Sequence, residues 1–151
     1  MLCFTIVEQG RLYSTAVSSQ ARCVLFLFTA VGCALGAMLR FLIMSRISVG
    51  SKQGFPLGLF LVNVVGSFCL GIFMALAQEL PDSIWAGPWM QAFLTIGFCG
   101  GLTTFSTFSL ETLKLVSSRS TKLLAIQILG SVGCCLLAVW IGYMLIGKGA
   151  L

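Results

Sequence analysis

The sequence predicts an all-α membrane protein with four transmembrane helices, and its composition supports this fold class in three ways. Of the 151 residues, 58% are hydrophobic and 9% are charged, whereas soluble domains carry roughly 25% charged residues. The mean hydropathy is high, at +1.05. Since one membrane-spanning helix takes about 20 residues, the chain has room for about four spans and essentially no soluble domain.

Four apolar segments follow a mixed, serine-rich lead, and short polar connections separate them. The lead, residues 1–22, has no sustained apolar run, so we expect an interfacial helix or a disordered tail there. Residues 23–151 form the transmembrane domain. The connections are short enough to make consecutive helices neighbours. The apolar segments are residues 23–44, 57–78, 89–116 and 123–146.

The ionisable residues and cysteines exclude several classes of protein. Nine scattered Lys and Arg residues against four acids give a net charge of +5, which is typical of loops beside lipid headgroups and forms no nucleic-acid patch. Histidine is absent, so an enzyme would need paired carboxylates, and none stand at a motif spacing. The seven cysteines form no CxxC pair, and we interpret them as small buried hydrophobic residues.

The distribution of basic residues between the two membrane sides is only weakly uneven. The richer side includes the loop between segments one and two, which favours a cytoplasmic location for that loop. The difference in the number of basic residues between the two sides is small enough that insertion in both orientations is physically feasible. One side holds Arg11, Arg22 and Lys148, and the other holds Arg46, Lys52, Lys114, Arg119 and Lys122.

The third segment contains a glycine pair and a Thr/Ser cluster that predict a helix break. Gly100 and Gly101 are followed by Thr103 and Thr104 at bilayer depth, and these residue types are poor helix formers. Irregular backbone persists there only where protein buries it or where it lines a watery cavity. Its carbonyls can then coordinate a cation. The alternative is a continuous, slightly bent helix whose hydroxyls bond back to the preceding turn.

Two phenylalanines lie within the same cluster. Phe105 and Phe108 stand at i, i+3 and therefore share one helix face, next to Ser106 and Thr107. The edge of a phenyl ring carries partial positive charge, so inward-facing rings can meet an anion without holding it too tightly to conduct. The alternative is ordinary packing.

Polar side chains also form stripes on the second and fourth segments. Asn63, Gly66 and Ser67 share one face of the second segment, where the amide either donates to an anion or bonds a neighbouring helix. Gln127 and Ser131 stand at i, i+4 on the fourth segment. We interpret them as helix-contact residues, and an extension of the polar face is the alternative.

Two charged residues lie towards the ends of their segments. Arg40 follows Gly32 and Gly36 at steps of four, and its place favours a vestibule or a snorkelling anchor. Glu111 follows the Thr/Ser cluster. It is either a proton relay or a residue of a wet vestibule, and we favour the vestibule.

Three sequence blocks together resemble the CrcB/Fluc fluoride channels. These are GCALGAMLRF at residues 32–41, LVNVVGSFCLG at residues 61–71 and GFCGGLTTFSTFSLE at residues 97–111, of which the third is the most specific. The resemblance implies a small four-helix subunit that inserts in both orientations in a bacterial inner membrane. It further implies an antiparallel homodimer with two pores, which passes fluoride passively and lowers cytoplasmic fluoride.

The resemblance also implies roles for individual residues. The broken third helices cross at the dimer centre, where carbonyls around Gly100 and Thr103 hold a structural sodium ion. Phe105, Phe108 and Asn63 match the motif's anion-pathway residues. The hydroxyls of Ser106 and Thr107 are expected in the same pathway, and Ser131 joins it by position only. The chain departs from the family pattern in its longer lead and in Phe41, which stands where tyrosine is frequent.

Two rival functions remain for comparison. A small dual-topology multidrug exporter has a similar length and four helices, but exchange of a cation against protons needs an intramembrane carboxylate. Segment one contains Arg40 and no acid, which disfavours this alternative. A non-transporting assembly subunit of a membrane complex predicts no flux and gives the helix break no purpose.

Overall fold

The computed structural model describes residues 19–48, 57–117 and 121–147, and these residues are helical apart from short turns. Four helices are long and apolar enough to cross a membrane, which confirms the predicted multi-pass architecture. The first 18 residues of the predicted lead lie outside the described residues, and the chain is already helical at Ser19. The spans are Gln20–Ile47, Leu57–Glu79, Pro88–Ser117 and Lys122–Ile146.

Five helices make up these spans, because the third span contains two. Helix α1 is Ser19–Ser48 and α2 is Leu57–Glu79. Helix α3, residues 88–102, runs through Pro88–Gln91, a wider π-helical stretch Ala92–Cys99, and Gly100–Leu102. Helix α4 is Phe105–Ser117. Helix α5, residues 121–146, runs through Thr121–Ala125, the π-helical Ile126–Gly130, and Ser131–Ile146.

The start of α3 follows from its sequence. Gly87 is extended, with φ −61° and ψ 141°, and Pro88 occupies the first helical position. Proline suits that position because its missing N–H would have no partner within the helix. The Gln91 side chain then donates from Nε2 to the Trp85 carbonyl at 2.7 Å, which ties the preceding turn to the helix.

Close glycine contacts join α1 to α3. A Cβ atom at Gly32 or Gly36 would overlap the backbone of α3, and one at Gly101 would overlap the Cys33 backbone of α1. Small residues at such positions let two membrane helices approach until their backbones touch. The GxxxG spacing of α1 therefore serves tight packing, and the chain positions of the contacts make α1 and α3 parallel.

A second glycine contact joins α2 to α5. A Cβ atom at Gly71 would overlap the Val139 carbonyl, and one at Gly142 would overlap the Phe68 carbonyl. The Tyr143 hydroxyl donates to Oε1 of Gln78 at 2.5 Å near the ends of both helices. These contacts make α2 and α5 parallel, so the polar faces of α2 and α5 lie side by side.

Replacing Gly36 by alanine tests the first of these contacts. The added methyl group would meet the Phe98 carbonyl and the Leu102 amide, and overpacking of this kind costs about 1–3 kcal/mol. We expect the Gly36→Ala protein to unfold at a lower temperature than the wild type in detergent micelles. Gly133→Ala is the matched control, since a Cβ there meets nothing within 4 Å. Equal melting temperatures for the two variants would contradict this account of the packing.

Candidate functional site

Helical backbone stops between α3 and α4, in the middle of the third span. Thr103 has extended backbone, with φ −77° and ψ 154°, and α4 begins only at Phe105. The N–H and the hydroxyl of Thr103 both donate to the Cys99 carbonyl at 2.9 Å. The Thr104 N–H leaves the helical pattern and donates to Oδ1 of Asn63 on α2 at 3.0 Å.

The glycine pair expected at the break lies in the helical turn before it. Gly100 and Gly101 are helical, and the non-helical residues are Thr103 and Thr104. Gly101 serves the close contact with α1, which explains its presence without unwinding. A Cβ at Gly100 would meet nothing within 4 Å, so packing within this subunit does not require glycine there.

Thr104 caps the N-terminus of α4. Its Oγ1 accepts from the Thr107 N–H at 3.4 Å and lies 3.1 Å from the Ser106 hydroxyl. Threonine is favoured at this position because its side chain satisfies one of the free N–H groups of the first turn. Within the described residues, the N–H groups of Phe105 and Ser106 have no protein acceptor.

The interruption leaves two helix ends of opposite polarity side by side. In a continuous helix the Thr104 N–H would bond the Gly100 carbonyl, but it bonds Asn63. The carbonyls of Gly100, Gly101 and Leu102 therefore lack their helical donors, and they carry the negative end of α3. The first turn of α4 presents free N–H groups and the positive end. Carbonyl oxygens are suitable ligands for a hard cation, whereas N–H groups can hydrogen-bond to an anion.

A groove with a volume of about 430 Å³ opens at this interruption. Helices α2, α3, α4 and α5 all contribute to its wall, so it collects residues that are far apart in sequence. No Lys, Arg, Asp or Glu side chain is among its lining residues. They include Asn63, Gly66, Ser67, Gly100, Thr103, Thr104, Phe105, Phe108 and Ser131, with Thr95, Cys99 and Cys135.

Both phenylalanines of the motif line this groove. Their ring centroids are 5.9 Å apart, with an angle of 31° between the ring planes, as the i, i+3 spacing predicts. Phe108 is half-buried, whereas Phe105 is 79% exposed. Phe105 therefore projects out of the subunit, beside the open side of the groove.

The Asn63 side chain makes one hydrogen bond within the fold and also lines the groove. Its oxygen accepts the Thr104 N–H, while its amide nitrogen has no protein partner within the described residues and lies on the groove wall. A Cβ at Gly66 would lie 2.5 Å from Cγ2 of Thr103. The neighbouring glycine is thus needed because the interruption packs directly on α2.

Two buried polar side chains of α5 have no hydrogen-bond partner among the described residues. Gln127 is 0% exposed and Ser131 is 4% exposed. Neither the Gln127 amide nor the Ser131 hydroxyl has a hydrogen-bond partner in the part of the chain that the structure describes. A buried polar group left unsatisfied costs about 1–3 kcal/mol. Ser131 lines the groove, so its hydroxyl is available to a ligand there.

Five of the predicted site residues lie off the groove wall, and one of them is Gly101, which contacts α1. Ser106 and Thr107 belong to the cap of α4 and interact with the Thr104 hydroxyl. Arg40 is half-buried on α1. Glu111 accepts from Lys114 Nζ at 2.7 Å, and 61% of the Lys114 side chain is exposed. An ion pair open to solvent fits the vestibule interpretation of Glu111 better than a proton relay.

Comparison with known proteins assigns the family. Residues 27–143 match the family described as CrcB-like protein, Camphor Resistance (CrcB). The chain belongs to the CrcB family. It is 39% identical over 119 residues to the "Fluoride-specific ion channel FluC" of Rhodospirillum rubrum, which covers 79% of this chain and 92% of that protein. The proteins of the same name from Geotalea uraniireducens and Shewanella halifaxensis are 40% and 38% identical, covering 77% and 80% of this chain and 91% and 94% of theirs.

Several groove residues of this CrcB protein were not predicted from the sequence. Cys135 stands four residues after Ser131, so helical spacing could have placed both on one face. Thr95 and Cys99 stand at steps of four before Thr103, so the same spacing could have found them, although they lie in the π-helical stretch of α3. π-Helical turns shift which residues share a face and are frequent at functional sites. A period of 3.6 residues therefore misplaces side chains in α3 and in the first half of α5.

Replacing Thr104 by alanine in this CrcB subunit tests the cap of α4. Loss of the hydroxyl leaves the Thr107 N–H without its acceptor, and removal of such a cap costs about 1 kcal/mol. We expect faster amide hydrogen exchange at residues 105–107 and a lower melting temperature, with both restored in Thr104→Ser. Ser109→Ala is the control, because that exposed hydroxyl bonds only the Phe105 carbonyl. Unchanged exchange in Thr104→Ala would show that the cap does not hold α4.

Proposed function

We propose that this chain forms a passive, fluoride-selective export channel that lowers cytoplasmic fluoride. The observation that carries the proposal is the groove at the helix interruption, where several donors converge at bilayer depth without a charged side chain. The named relatives, which are fluoride-specific ion channels, support the choice of ion. They also agree with the expectation that the chain is not an enzyme.

The groove offers the contacts that a small, strongly hydrated anion needs. A conducting site must replace water while keeping each contact weak enough for the ion to leave. Four residues of the groove wall can make such contacts. They are Asn63 with its free amide, Ser131 with its hydroxyl, and Phe105 and Phe108 with the edges of their rings. The positive N-terminus of α4 adds N–H donors at the same level. A lysine or arginine in this place would hold the anion instead of passing it.

We further propose an antiparallel, dual-topology homodimer with two pores. The unpaired hydrogen-bond donors of the groove cannot face lipid, because hydrocarbon satisfies none of them. Phe105 projects from the subunit, and the space at Gly100 is open, so a second copy packed across this face would enclose the groove and use both features. An isologous contact gives each subunit the same environment and creates two equivalent pores.

The same arrangement has a place for the structural sodium ion expected from the family. The carbonyls of the last turn of α3, around Gly100 and Thr103, lack helical donors, and hard cations bind such oxygen ligands. When bound, sodium would supply a fixed positive charge near the interface of the two copies. The residues of this chain fit that role, because the carbonyls belong to the same interruption whose other end offers N–H groups to an anion.

A bacterial inner membrane is the proposed location, as expected from the family. The rival multidrug exporter needs a carboxylate within the membrane. In the described spans, Glu79 stands at the end of α2 and Glu111 is paired with Lys114. Neither is placed for exchange of a proton against a cation. The second rival, an assembly subunit, is distinguished by flux alone.

Ion efflux from liposomes tests the proposed function. We expect purified protein to release fluoride rapidly once an ionophore balances the charge, and to release almost no chloride under the same conditions. A fluoride electrode and a chloride electrode measure the two ions in parallel samples. A folded, dimeric preparation without fluoride efflux would exclude the channel and favour the assembly subunit.

Replacing Asn63 by aspartate separates its structural role from its role in the groove. A carboxylate keeps an oxygen for the Thr104 N–H but removes the amide donor and adds negative charge. Two like unit charges about 4 Å apart repel by about 4 kcal/mol in a partly buried site, so we expect fluoride efflux to fall by about a hundredfold or more. Gln78→Glu is the matched control, since it keeps the acceptor for Tyr143 outside the groove. Equal efflux in both variants would remove Asn63 from the pathway.

Replacing Gln127 by leucine should move stability and transport in opposite directions. The buried amide has no partner, so an apolar side chain of similar size removes about 1–3 kcal/mol of unfavourable free energy. We expect Gln127→Leu to melt at a higher temperature. Gln127 is not on the groove wall, but it stands four residues before Ser131, which lies on that wall, so we also expect slower fluoride release because the amide no longer provides a polar group behind that hydroxyl. A variant that is less stable, with unchanged efflux, would assign Gln127 to packing alone.

A further inference from the structure

Two thiols line the groove, and they differ in access. Cys99 on α3 is 2% exposed, whereas Cys135 on α5 is half-buried, and both belong to the groove wall. The adjacent Cys134 is exposed and is absent from that wall. The chain thus carries two neighbouring thiols, one on the groove and one on the outer surface of α5.

An unsatisfied hydroxyl lies one helical turn from Cys135. Ser131 is 96% buried, its Oγ has no hydrogen-bond partner in the described part of the chain, and it lines the same groove. Residues at i and i+4 share a helix face, so Ser131 and Cys135 present a hydroxyl and a thiol to one space. The groove therefore contains a hydroxyl without a hydrogen-bond partner in the described residues next to a nucleophilic thiol.

We propose that Cys135 is a covalent modification site for small thiophilic electrophiles, with organomercurials as the model class. The step with methylmercury hydroxide forms a bond between Sγ of Cys135 and mercury. The thiol proton leaves with the hydroxide as water, so no oxidant or reductant is needed. The methylmercury group then occupies the groove beside Ser131. Closure of the ion path by this group rests on the function proposed above, whereas labelling of the thiol does not.

The structure makes Cys135 the thiol at which modification matters. Only 2% of Cys99 is exposed, so a reagent reaches this thiol slowly. Cys134 is accessible, but a group attached there lies outside the groove. A thiol in the pathway makes the protein sensitive to soft metals, although its proposed ion, fluoride, is a hard anion with no affinity for sulfur.

Methylmercury labelling of the protein in liposomes tests the proposal in two readouts. Peptide mass spectrometry follows the added mass at Cys134 and Cys135, and the fluoride electrode follows efflux from the same vesicles. We expect labelling at both residues and a loss of more than about tenfold in efflux, reversed by excess dithiothreitol. Saturating fluoride should slow labelling at Cys135 and leave labelling at Cys134 unchanged.

Three variants assign the effect to one thiol. Methylmercury should inhibit fluoride efflux through Cys134→Ser as strongly as through the wild type. Cys135→Ser and Cys135→Ala should each show the same efflux after treatment as before it. The alanine variant covers the case in which serine disturbs folding. Full inhibition of a folded Cys135 variant, or no labelling of Cys135 in the wild type, would overturn the proposal. Absent efflux before treatment, together with normal labelling at Cys135, would instead count against the proposed channel and leave the modification site standing.

Discussion

One hydrogen bond, from the Thr104 N–H to the Asn63 side chain, determines how the third span is built. It takes the amide that would have continued helix α3 and commits it to α2. Two helix ends of opposite polarity then meet within the membrane, where no water satisfies them. The Thr104 hydroxyl completes the change by capping α4. The placement of the groove side chains depends on these two hydrogen bonds of Thr104, because they set the direction in which α4 leaves the interruption.

The position of this bond depends in turn on tight packing elsewhere. Gly66 allows Thr103 to rest against α2, and Gly101 allows α3 to rest against α1. Leu102 and Val62, each 1% exposed, fill the core beside the interruption. A polar and irregular segment is therefore held by apolar neighbours on both sides. The result is a set of weak donors whose geometry is fixed before any ion arrives.

The sequence alone was enough for the spans and for much of the groove, because apolar length and the TTFSTFS cluster are local signals. The pairing of Phe105 with Phe108 followed from spacing in the same way. The hydrogen bond between Asn63 and Thr104 joins residues that are 41 positions apart, so no local sequence pattern could have predicted it. The π-helical turns were also hidden, since no proline or glycine run marks Ile126–Gly130, and they alter which side chains of α5 face inward.

The glycine contacts of the fold also have a mechanical consequence. Helices α1 and α3 touch along their backbones, as do α2 and α5, and close-packed contacts of this kind resist deformation. We therefore expect each pair to move as one rigid unit. The groove wall takes residues from both pairs and from α4, so a rotation of one pair relative to the other would change the width of the groove. The hydrogen bond between Asn63 and Thr104 would limit that rotation.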